Sequence, residues 1–240
     1  MSDAPDTNAE FWKSAEQVAH WVTGAQERER QYARPRILMA ELLPFGPDEP
    51  FTVLDLGAGT GAAARAVLSR FPAARAILAD FSPQMMEHGN QAMAAYAGRY
   101  SYVEFDLASG QWPDAIPAAV DAVISSMCVH HLTDDRKRQL FAEILGRLIP
   151  GGWYLNYDPV AAPDPGVDDA WLRVAERRDP ELAHQRTHRT PEQQARYDNH
   201  VRYIIPLAPQ IEFLRAAGFE AVDVYWKELE DVVYGGRRPA

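Results

Sequence analysis

The chain has 240 residues, of which 47% are apolar and 24% charged, and its formal net charge is −10. That length suits one large domain that buries a core without disulfide staples, and the mix excludes wholesale disorder. The acidic balance argues against nucleic acid as a partner, because gripping phosphates requires clustered Lys and Arg; the short runs Arg136-Lys137-Arg138 and Arg237-Arg238 read as solvated faces.

From Asn8 to Arg30 the apolar residues Phe11, Trp12, Ala15, Val18 and Val22 recur at helical spacing, and Asp6, Thr7 or Asn8 can cap the helix. A second helix is predicted over Ala33–Leu43, ended by Pro44, Gly46, Pro47 and Pro50. A regular alternation then begins. Phe51–Leu56, Ala76–Ala79, Tyr102–Phe105, Ala119–Ser125 and Trp153–Tyr157 read as strands. Between them, Gly61–Arg70, Pro83–Ala97 and Asp134–Leu148 read as helices, and Pro150-Gly151-Gly152 turns the chain into the fifth strand. Strands alternating with helices imply a doubly wound, mostly parallel α/β sheet covered on both faces. From Asp158 to Arg202 the rhythm changes to helical pieces near Val167–Arg178 and Pro191–His200, with no strand between them. A helix at Gln210–Ala217 and strands at Ala221–Trp226 and Asp231–Tyr234 close the chain.

The most informative stretch is Val53-Leu54-Asp55-Leu56-Gly57-Ala58-Gly59-Thr60-Gly61, between the first strand and its helix. Glycines there let the backbone turn tightly and lie against a ligand, and the following helix offers free N–H groups. A dinucleotide fingerprint reads G-x-G-x-x-G. Here the pattern is G-x-G-x-G, preceded by an acid. Asp55 disfavours a pyrophosphate and favours an ammonium, or a water that holds one, which points to S-adenosylmethionine rather than NAD. Asp80 ends the second strand, where a carboxylate can accept from both ribose hydroxyls of either cofactor. Asp106 can accept from an adenine amino group, and Phe81, Met85 and Leu107 can supply a flat apolar slot.

In these pieces the chain resembles the class I S-adenosylmethionine-dependent methyltransferases. Val53–Gly61, the stretch from Asp80 to Met85, Asp106, the stretch from Asp121 to Leu132 and the turn from Leu148 to Gly152 stand in the family's order. The resemblance implies a Rossmann-like methyltransferase fold, a seven-stranded sheet whose last strand is antiparallel. It also implies that S-adenosylmethionine touches Asp55, Gly57, Gly59, Gly61, Asp80, Asp106 and the strand end Ser125–Ser126. Tyr32 and Arg34 are candidates for its methionine end. The expected organisation is one domain, with a helical lid over 1–50, a cofactor-binding core over 51–157, a helical substrate-covering insertion over 158–205 and a last helix and strand pair over 206–240.

Ligands of an open parallel sheet bind beyond the carboxyl ends of the strands. That brings Ser126, Met127, His130, His131, Asn156, Tyr157 and Asp158 toward one mouth, under the His- and Arg-rich insertion. The expected activity is methyl transfer to a small-molecule acceptor at oxygen, nitrogen or carbon. His130 and His131 are the candidates for taking an acceptor proton. Three alternatives share the motifs: a tRNA-base-modifying relative, an NAD(P)-dependent oxidoreductase and a non-catalytic S-adenosylmethionine-binding protein. His184 and His188 have i, i+4 spacing, but without an acidic companion they read as a chance pair, and no metal ligand set is assigned. Trp12, Trp21, Tyr225 and Trp226 can line an acceptor pocket or simply pack. A lone Cys128 forms no internal disulfide and reads as an inert interior thiol. With no signal-peptide pattern and no run near ~20 apolar residues, the expectation is a cytoplasmic, bacterial protein off the membrane, its N-terminal helices serving as lid or homodimer contact.

Overall fold

The computed structural model of the chain describes residues 12, 18–19, 23–181, 184 and 188–240. Seven strands form one sheet in the order β3-β2-β1-β4-β5-β7-β6. They are β1 (Thr52–Leu56), β2 (Arg75–Asp80), β3 (Tyr100–Glu104), β4 (Val120–Ser126), β5 (Leu148–Pro159), β6 (Glu220–Glu228) and β7 (Asp231–Arg237). Strands β1 to β5 pair in parallel, and β7 runs antiparallel between β5 and β6. The helices are α1 (Ala25–Leu42), α2 (Ala62–Arg70), α3 (Pro83–Ala92), α4 (Asp134–Arg147), α5 (Pro165–Arg178), α6 (Pro191–Val201) and α7 (Leu207–Ala217). The architecture is the expected doubly wound α/β sheet with its last strand reversed.

The two-residue side-chain period of strands splits the core into two layers. Leu54, Val123, Tyr154 and Tyr234 face one layer, completed by Leu140 and Phe141 of α4 and Leu214 of α7. Val53, Ile124, Leu155 and Val233 face the other, completed by Met39 of α1 and Val67 and Leu68 of α2. Because both faces are covered, the central strands read as near-continuous apolar runs. Helix starts follow their side chains: Ser82 accepts from the Met85 N–H, Thr133 from Arg136, and Thr190 forms a capping box with Gln193.

Two of the differences from the sequence reading have a packing reason. The expected break between helices near residue 31 does not occur: α1 runs from Ala25 to Leu42 with Pro35 inside it. Burial of Met39, Ala40 and Leu43 against the sheet outweighs the local cost of the proline. Most of the expected helix before residue 23 lies outside the described residues. The Pro150-Gly151-Gly152 turn is instead a bulge within β5, since the step from Val120 to Ala122 is matched by the step from Leu148 to Trp153. A Cβ at Gly152 would sit 2.9 Å from the carbonyl oxygens of Asp121 and Ile149, so the bulge admits no larger residue without movement.

Candidate active site

The loop after β1 is built on three left-handed glycines. Gly57 has φ +66°, and a Cβ there would lie 2.0 Å from the Cys128 sulfur. Its N–H and that of Ala58 both donate to the Ala79 carbonyl, at 2.8 and 3.0 Å. Gly59, at φ +54°, donates its N–H to Asp80 Oδ2 at 2.7 Å, and its carbonyl accepts from the Tyr102 hydroxyl at 2.9 Å. Gly61 has a different task. It starts α2, and a Cβ would press on Leu78 and Met93, each 2.8 Å away. Gly57 and Gly59 line a cavity of about 330 Å³; Gly61 does not.

Asp80 sits on the cavity wall, almost buried, with its second oxygen accepting from the Ser82 N–H at 2.9 Å. Burial pushes it up to about 6, against the pull of those backbone donors. Asp55 lies behind the loop rather than on the wall. Its Oδ2 accepts from the Ala64 N–H at 3.0 Å, and its Oδ1 has no partner among the described residues. Burial pushes Asp55 up to about 7; the Ala64 hydrogen bond and nearby Arg36 oppose that.

Phe81, Met85, Asp106 and Leu107 line the far end of the cavity. Asp106 Oδ1 accepts from the Ala108 N–H at 2.9 Å. At the near end stand Tyr32, Arg36 and Ser126. Here Arg34 is replaced by its neighbour: Arg34 is exposed, whereas Arg36 donates from Nε to Ser126 Oγ at 2.9 Å. Residues four apart share a helix face and residues two apart do not, so Tyr32 carries Arg36 inward and leaves Arg34 outside. Strand alternation makes a similar choice between Ser125 and Ser126. Ser125 is buried and donates to the Leu56 carbonyl at 2.8 Å, tying β4 to β1, while Ser126 faces the cavity.

Histidines line another part of the cavity. His130 is 3% exposed and follows β4 in a short 3₁₀ turn. Asp158, at the end of β5 and fully buried, accepts the His130 backbone N–H at 2.8 Å and meets its Nδ1 at 2.6 Å. The carboxylate thereby fixes the tautomer that carries its proton on Nδ1. The His130 Nε2 is buried without a partner among the described residues. Asn156 braces the arrangement, donating to Asp158 at 3.3 Å and to the Tyr234 hydroxyl at 2.9 Å; that hydroxyl donates to Gln210 at 2.6 Å. His131 also lines the cavity, and burial holds its pKa well below the ordinary histidine value.

Sequence reasoning passed over Arg36, brought Asp158 to the mouth without giving it a role, and left His200 undistinguished within the His- and Arg-rich insertion. The first was legible in the i, i+4 spacing from Tyr32. The other two come close to His130 only through folding. His200, at the end of α6, is the one histidine or arginine of the insertion that lines the cavity among the described residues. Others are engaged elsewhere: Arg178 pairs with Glu228 at 2.6 Å, and Arg189 lies over the Tyr197 ring. Trp12 lines the cavity, whereas Tyr225 and Trp226 pack against Trp153 and Tyr157. Trp21 lies outside the described residues. His184 and His188 are exposed and stack on each other away from the cavity wall. Cys128 is half-buried and lines the cavity rather than the interior; burial pushes its thiol well up, so it stays neutral.

The sheet order, the glycine loop and the two strand-end acids are those of the class I S-adenosylmethionine-dependent methyltransferase fold. Residues 53–152 match the family described as a methyltransferase domain. The chain is similar to the release factor glutamine methyltransferase of Cereibacter sphaeroides, with 35% identity over 144 residues, 59% of this chain and 46% of that protein. It is similar to the trans-aconitate 2-methyltransferase of Azoarcus sp. strain BH72, with 31% identity over 105 residues, 44% of this chain and 38% of that protein. The matched stretches therefore span less than half of either curated relative. Human N-acetylserotonin methyltransferase, solved in complex with S-adenosylmethionine, shares the fold with TM-score 0.68 and 18% identity, covering 100% of this chain and 61% of that one. Among the described residues no helix is long and apolar enough to cross a membrane.

Proposed function

We propose that the protein transfers a methyl group from S-adenosylmethionine to a small-molecule acceptor. The observation that carries this reading is the single cavity joining the glycine loop and Asp80 at one end to His130 at the other. The residues fit the cofactor. Asp80 accepts from the backbone of Gly59, Ser82 and Phe81, and it keeps acceptor capacity for a ribose hydroxyl. Phe81, Met85 and Leu107 offer apolar walls to adenine, and Asp106 offers its second oxygen to the amino group. Arg36 is placed for a carboxylate, while buried Asp55 acts on an ammonium through its field rather than by contact.

Bound there, S-adenosylmethionine supplies a methyl group on a sulfonium, which is already an excellent leaving group. The chain's share of the work is to hold the acceptor in line and to take its proton where it has one. His130 is suited to the second task, because Asp158 engages Nδ1 and leaves Nε2 as the acceptor. His131 stands beside it as a neutral neighbour.

Calorimetric titration with S-adenosylmethionine, S-adenosylhomocysteine and NAD(H) tests the reading. Micromolar binding of the first two and none of the third supports it and opens an acceptor screen. Binding of NAD(H) alone overturns it.

A further inference from the structure

Three imidazoles meet at one end of the cavity. His130 and His131 come from the turn after β4, and His200 from the end of α6. One nitrogen from each lies within 4.8 Å of the others. The ring centroids of His200 are 5.1 Å from His130 and 5.4 Å from His131. Two further observations suggest that this is a built arrangement. His130 is almost wholly buried, yet its Nε2 has no partner among the described residues and its ring lines the cavity. Asp158 grips the opposite nitrogen of the same ring, which is the carboxylate–imidazole pairing that orients metal-binding histidines and strengthens them as ligands. The chain just beyond the third ligand is anchored from outside the cluster: buried Lys137 of α4 donates to the Tyr203 carbonyl, past the end of α6.

We propose that His130, His131 and His200 bind a divalent transition-metal cation of the zinc class, with the fourth coordination position open to the cavity. Imidazole nitrogens suit zinc, copper and nickel, whereas magnesium and calcium require oxygen ligands that this set lacks. Three protein ligands with one open position is the pattern of reactive rather than structural zinc sites. Bonds of about 2.1 Å in a tetrahedron place ligand nitrogens about 3.4 Å apart, so the rings draw together on binding, and the solvent-facing His200 has the freedom to move. The same Nε2 lone pair cannot hold a cation and accept a proton. Metal loading and general-base use of His130 are therefore alternatives at one atom. The site does not depend on the methyl-transfer reading.

The test uses the full chain, stripped with chelator and titrated with zinc chloride by calorimetry, then with Co²⁺ to read tetrahedral d–d absorption. One saturable equivalent of micromolar or tighter affinity is expected, not displaced by excess Mg²⁺. His200→Ala, an exposed position whose variant is checked by thermal melt, is expected to weaken binding at least tenfold, while the double variant of His184→Ala and His188→Ala binds as before. Absence of saturable binding, binding unchanged in His200→Ala, or binding lost with His184 and His188 overturns the proposal. None of these outcomes bears on S-adenosylmethionine binding, which its own titration decides.

Discussion

Asp158 holds His130 at two points, its Oδ2 on the backbone N–H at 2.8 Å and its Oδ1 on Nδ1 at 2.6 Å. One carboxylate thus fixes both where the ring is and which nitrogen carries the proton. If that ring takes the acceptor proton, His130→Ala lowers turnover by about 100-fold on a protic acceptor. S-adenosylhomocysteine affinity stays within about twofold, because the residues proposed to hold the cofactor lie elsewhere. Steady-state kinetics beside calorimetry makes the separation, and equal turnover removes His130 as the base.

Asp80→Ala is expected to weaken S-adenosylmethionine binding by at least tenfold without unfolding the protein, since hydrogen bonding of the ribose to a charged acceptor is lost. The wild type carries a pH signature of the same contact. Burial places the Asp80 pKa at about 6, so the carboxylate becomes a protonated and poorer acceptor as pH falls through that value. Affinity for S-adenosylhomocysteine should decline from pH 7.5 to pH 5, and Asp80→Asn should flatten the decline. A wild-type profile that is flat over that span would contradict the assignment.

Asp55 is a stability cost kept in the core. Its folded pKa of about 7 lies above the ordinary value of 3.8, so the folded chain keeps a proton that the unfolded chain gives up. Its favourable contribution is complete below pH 3.8 and lost as pH rises through 7. Asp55→Asn should therefore gain little over wild type at pH 4 and on the order of a few kcal/mol at pH 8, at the expense of cofactor affinity. Thermal melts of both proteins across that range check the sign: a gain that shrinks with rising pH would contradict it.

Gly57→Ala adds a Cβ 2.0 Å from the Cys128 sulfur at a φ of +66°. Left-handed strain and overpacking together should destabilise the fold by about 2–5 kcal/mol. The urea midpoint measures this. A midpoint unchanged from wild type would mean that the loop is free to move away from Cys128.

Local chemistry in the sequence already determined the alternating elements, the doubly wound sheet, the glycine loop and most of the cofactor end. Period-2 and period-3.6 patterns, proline and glycine breaks and strand-end acids are all short-range signals, so Gly57, Gly59, Asp80, Phe81, Met85, Asp106 and Leu107 could be picked out before any fold was known. The sequence did not distinguish Arg34 from Arg36 or Ser125 from Ser126, because one step in a strand or two in a helix reverses which side faces the cavity. It also gave no sign that Gly61 serves packing rather than the cavity wall, since its neighbours Leu78 and Met93 are distant in the chain. Tertiary structure alone decided which side chains meet at the histidine end of the cavity. Asp158 reaches His130 because β4 and β5 are parallel neighbours that end at the same edge, and His200 reaches them because α6 and the residues after it pack over that edge. Such contacts depend on the order of the strands and the packing of the insertion, which no local pattern of residues encodes.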